Sequence, residues 1–101
     1  MSKQFVIQSR TAEQDGQLVP LGARSEIVGS LSKFNTMAEV EGGDTLWGPG
    51  IKIELPPGED SINQMLLYIV EEEIAWHVIL RLAKQFDWSV TNIETGRELQ
   101  P

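Results

Sequence analysis

Cysteine is missing from the 101-residue chain. Its absence removes disulfides, thiolate nucleophiles, zinc knuckles and iron–sulfur ligation from consideration. It also fits a cytoplasmic location, which is the expectation taken forward. Histidine is nearly missing too: His77 is the only one. Zinc or iron needs three or four converging ligands, and one imidazole with a neighbouring glutamate supplies two at most, so no metal site is expected. Di-iron bundles place a glutamate three residues before each histidine, whereas Ile74 stands at that position here. A serine nucleophile would have to use His77, and there is no Gly-x-Ser-x-Gly elbow to present one.

Phosphate-binding signatures are lacking as well. The glycine-rich stretch GGDTLWGPG, residues 42–50, has neither the lysine of a Walker loop nor the order Gly-x-Gly-x-x-Gly. No EF-hand spacing occurs among the acidic residues. These gaps lead to the expectation of no catalytic residues, no metal and no cofactor. Long apolar runs are also wanting. The N-terminus offers only Phe5 to Ile7, too short for a signal peptide, and the longest run is interrupted by Glu71, Glu72 and Glu73. Neither a secretory leader nor a membrane span is expected.

Positive charge is scarce: eight lysines and arginines face fifteen acidic residues, for a net charge of −7. The imbalance is local. Residues 39–73 hold nine acids and a single base, Lys52. Such a centre repels phosphate backbones, and with no basic patch interleaved with aromatics, nucleic-acid binding is not expected.

What is present reads as one α+β domain spanning residues 1–101. The β-branched and aromatic centre of QFVIQS suggests a strand over 4–9. Residues 10–22, polar and broken by Gly16, Pro20 and Gly22, read as a mobile loop. Ile27, Leu31 and Phe34 recur at helical spacing after Ala23. Met37 to Glu41 has the look of a short edge strand, and Ile51, Ile53 and Leu55 alternate with Lys52 and Glu54 as in a half-buried strand. Ser61 and Gln64 form a possible capping box for a long helix over 62–86. Trp88, Val90 and Asn92 alternate in a last strand. The order strand–helix–strand–strand–helix–strand predicts a ferredoxin-like sandwich, with an antiparallel sheet of three or four strands and two helices on one face.

A wheel drawn over 62–86 separates two apolar stripes. One would face the sheet. The other, Leu67, Val70, Ile74 and Val78, would be left for the first helix or for a partner, a second copy of the chain included. Trp47 in its glycine-rich bend is the other candidate anchor. Glu73 and His77, four residues apart, form an ordinary helical pair, while Glu72 falls within the sheet-facing stripe. The expectation is a small, acidic, non-catalytic domain acting through protein–protein contact, as a homodimer or with another protein. The alternative is a small-molecule-binding domain or weak enzyme, with a pocket between the Trp47 loop and the long helix that uses Glu72, Glu73 and His77.

Overall fold

The computed structural model describes residues 4–10, 15–16, 19–40 and 42–99. Gln4–Ser9 forms strand β1, in which Phe5 and Ile7 are buried while Gln4, Val6 and Gln8 face the other way. Gly22–Ala23 (β2) leads into helix α1 (Arg24–Ser32), followed by β3 (Met37–Ala38), β4 (Thr45–Gly48), β5 (Ile51–Glu54), β6 (Ser61–Ile62), β7 (Gln64–Ile69), α2 (Glu72–Phe86) and β8 (Trp88–Asn92). Six strands make one sheet in the order β3-β4-β5-β7-β1-β8, and every neighbouring pair is antiparallel. β2 and β6 form a separate two-stranded ribbon.

The fold is α+β, but the expected ferredoxin-like sandwich of three or four strands is overturned by this six-stranded sheet and its extra ribbon. Two misread segments account for the difference. TLWG, expected within a bend, is β4 and pairs with β5 through a two-residue turn at Pro49–Gly50. QMLLYI, expected as the start of a helix over 62–86, is β7, held between β1 and β5. The period of a short apolar run is ambiguous between strand and helix, and tertiary pairing decides between them. The edge strand expected over Met37 to Glu41 shrinks to Met37–Ala38, and Glu41 lies outside the described residues. So do residues 11–14, 17 and 18 of the loop expected over 10–22.

The break between β7 and α2 has a clear cause. The carbonyl of Gly50 accepts hydrogen bonds from the N–H groups of both Val70 and Glu71. The chain then turns, and Glu72 and Glu73 occupy the first turn of α2, where the helix dipole favours negative charge. At the other end, Asp87 adopts the left-handed conformation and donates its N–H to the Ala83 carbonyl, a helix stop.

Both helices pack on the side of the sheet that carries Phe5, Ile7, Leu46, Ile51, Ile53 and Leu67. Trp76 of α2 meets Phe5 edge-on at 5.9 Å, and Phe86 bridges Phe34 to Trp88. The outer edge of β8 is closed by the returning tail: Asn92 donates to the Arg97 carbonyl and Leu99 to the Val90 carbonyl. Among the described residues, no helix is long and apolar enough to cross a membrane.

Candidate functional site: the open face of the sheet

With both helices on one side, the other side of the sheet is left without a helical layer. Register dictates what it displays. Met37 lies opposite Trp47, Trp47 opposite Lys52, Lys52 opposite Tyr68, and Tyr68 opposite Gln4. The adjacent row runs Thr45, Glu54, Leu66, Val6 and Thr91. Directly opposed side chains in an antiparallel sheet stand close enough to interact, so each row is a contact chain. Met37 and Trp47 keep 51% and 41% of their surface in solvent.

Lys52 organises the centre of this face. Its Nζ stands 4.6 Å from the centre of the Tyr68 ring and 5.7 Å from that of Trp47, within cation–π range of both. The same nitrogen is 3.6 Å from Glu54 Oε1, and the Tyr68 hydroxyl donates to Glu54 Oε2 at 3.3 Å. The Tyr68 phenol is held above its ordinary pKa, first by desolvation among its strand neighbours, then by the Glu54 charge and the hydrogen bond to it.

Beside this cluster is a cleft of about 410 Å³, bordered by Thr45, Glu54 and Leu66 of the open face, with Asp44, Pro56 and Pro57 as walls. Arg24 braces those walls. From the first position of α1 it donates to the Pro56 carbonyl at 3.0 Å and to the Gly43 carbonyl at 3.5 Å, and it forms an ion pair with Asp44. The role of Arg24 escaped the sequence reading. A cation at a helix N-terminus opposes the dipole, so its position alone was a signal that something specific holds it there.

The residues singled out in the sequence are dispersed. Trp47 sits in β4 on the face turned away from the helices. Leu67 is fully buried in β7 and belongs to the core, which removes it from the helix stripe it was assigned to. Val70, one step beyond β7, and Ile74, in the first turns of α2, are exposed, whereas Val78 is half-buried against the core. Glu72, Glu73 and His77 are exposed on α2. The sheet stands between them and Trp47, so the four residues do not converge on one pocket. Glu72 lies in the solvated first turn of α2 rather than against the sheet. Among the described residues, no three histidine, aspartate or glutamate side chains gather as a metal site. No protein-family model, curated protein or solved structure matches this chain.

Proposed function

We propose that the chain is a non-catalytic, cytoplasmic binding domain that docks a protein partner on the open face of its sheet. The observation that carries this reading is the row Met37–Trp47–Lys52–Tyr68. Large amphipathic side chains stand together on a rigid surface that neither helix covers. Aromatic residues at the centre of a patch, rimmed by polar groups, are the usual energetic anchors of protein interfaces. Trp47 is the anchor and the cleft beside Glu54 receives a partner side chain. Val70, which follows Tyr68 past the end of β7, is exposed at the edge of this surface. The cytoplasmic assignment draws its support from the cysteine-free composition.

The test is photo-cross-linking in living cells from a photoreactive residue substituted at Met37, with the same residue at Lys84 on the outside of α2 as control. A discrete protein adduct from position 37, suppressed by Trp47→Ala, is the expected result. Equal labelling from both positions, or none, contradicts the reading. A second reading is favoured by the size of the cleft, which falls within the range of small-molecule sites. There a metabolite would occupy the cleft alone, and its binding would survive Trp47→Ala.

A further inference from the structure

Resting on the docking face proposed above, we infer that the segment bound there is basic, and that an arginine or lysine of the partner takes the place of Lys52 between Trp47 and Tyr68. Three observations select this occupant. The first is the layout of charge. Lys52 is the one base between residues 39 and 73, whereas Glu39 and Asp44 line a hollow with Trp47 and Glu54 stands in the adjacent row of the face. Among the described residues, Arg10 pairs with Asp87 and Glu98 and Arg24 with Asp44, Lys33 ends α1, Arg81 and Lys84 lie on α2, and Arg97 is in the tail beyond β8. An acidic partner would meet Glu39, Asp44 and Glu54, and one cation that Glu54 already holds.

The second observation is that the rings already accept a cation, since the Lys52 ammonium lies over both. A guanidinium stacks on aromatic faces better than an ammonium and is less strongly hydrated. Lys52 has a four-carbon stem on which to swing aside, and Glu54 then pairs with the incoming charge. The third is the cost of the opposite choice. A purely apolar partner would strip water from the Lys52–Glu54 pair and give nothing in return. Lys52 is thus an internal stand-in for the partner's cation, and it lowers affinity until displaced.

Calorimetric titration of the full chain with three short peptides of equal length tests this: one of arginine and leucine, one of glutamate and leucine, one of glutamine and leucine. The basic peptide alone is expected to bind. Trp47→Ala should weaken it by roughly tenfold to thirtyfold, and Gln85→Ala, at an exposed site on α2, should leave it unchanged. Lys52→Ala should tighten it by about threefold to fivefold. Lys52→Gln serves in its place if the alanine variant unfolds at a lower temperature.

Binding that persists in Trp47→Ala reflects attraction to net charge only and overturns the inference, as does weaker binding by Lys52→Ala. Preference for the acidic or neutral peptide overturns it too but leaves the docking face intact. So does a dimer in sedimentation equilibrium that Trp47→Ala abolishes, because a second copy is then the occupant. If no peptide binds while position 37 still cross-links, only the basic partner is wrong. If both are silent, the docking face itself falls.

Discussion

Gly50 shows how a single residue can hold two elements in place. It stands at φ +72°, and a Cβ added there would come 2.7 Å from the Glu71 carbonyl oxygen and 2.9 Å from the Ala75 nitrogen, both backbone atoms that cannot move aside. Gly50→Ala is therefore expected to lower unfolding free energy by about 2 kcal/mol or more, the left-handed backbone accounting for much of it. Gly29, in α1, has open space where a Cβ would go. Gly29→Ala should raise stability by roughly 0.5–1 kcal/mol through helix propensity. Urea denaturation of the two variants checks both signs. Tyr68 supplies a second residue-level expectation. Its phenol titrates above the ordinary 10.0, so the folded state holds the proton more tightly than the unfolded chain. The stability this contributes is fully present below pH 10.0 and is lost as pH rises through the folded value. Ultraviolet titration should place ionisation above the ordinary value, and Glu54→Gln should move it part of the way back. A residual upward shift is expected to remain, because desolvation is the largest cause.

At the scale of elements, strands with period-two patterning were legible from the sequence. Phe5 and Ile7, Ile51 and Ile53, and Trp88 and Val90 alternate with polar or half-buried neighbours, and each set forms a strand where that pattern places it. β7 was not legible, because Met65, Leu66, Leu67, Tyr68 and Ile69 form an unbroken apolar run whose period is ambiguous. Its two faces are both in use: Met65 and Leu67 pack under the helices, while Leu66 and Tyr68 line the open side. The three glutamates at 71–73 did carry a usable signal. Acidic residues gather at helix N-termini, and taking them as a start would have cut the long helix at the right place. The candidate site was half legible. Trp47 stood out, but its neighbours Lys52, Tyr68 and Glu54 come from register across separate strands, which spacing in sequence does not reveal. Strand rather than helix at β7 makes a prediction. Leu67→Ala should cost about 3 kcal/mol as a core truncation, whereas Val70→Ala, at a site 60% exposed, should change stability by less than about 0.5 kcal/mol. Comparable losses at both positions in thermal or urea unfolding would contradict that placement.

Across the whole molecule, architecture divides the surface. The helical side shelters the core and carries Glu72, Glu73, Arg81 and Lys84 on α2. The sheet side shows an aromatic row with a self-paired Lys52–Glu54 centre, and Glu39 and Asp44 beside Trp47. With a net charge of −7, long-range attraction would steer a positively charged partner toward the chain. The most direct test of the account follows the three indole N–H signals of the ¹⁵N-labelled chain during titration with the arginine–leucine peptide. Trp76 and Trp88 pack against the core and Trp47 stands on the open face, so each signal reports one side of the sheet, and Trp47→Phe assigns the resonance that matters. The Trp47 signal is predicted to shift saturably while the other two stay in place. A stationary Trp47 signal, or equal movement of all three, would contradict the open face as the docking surface.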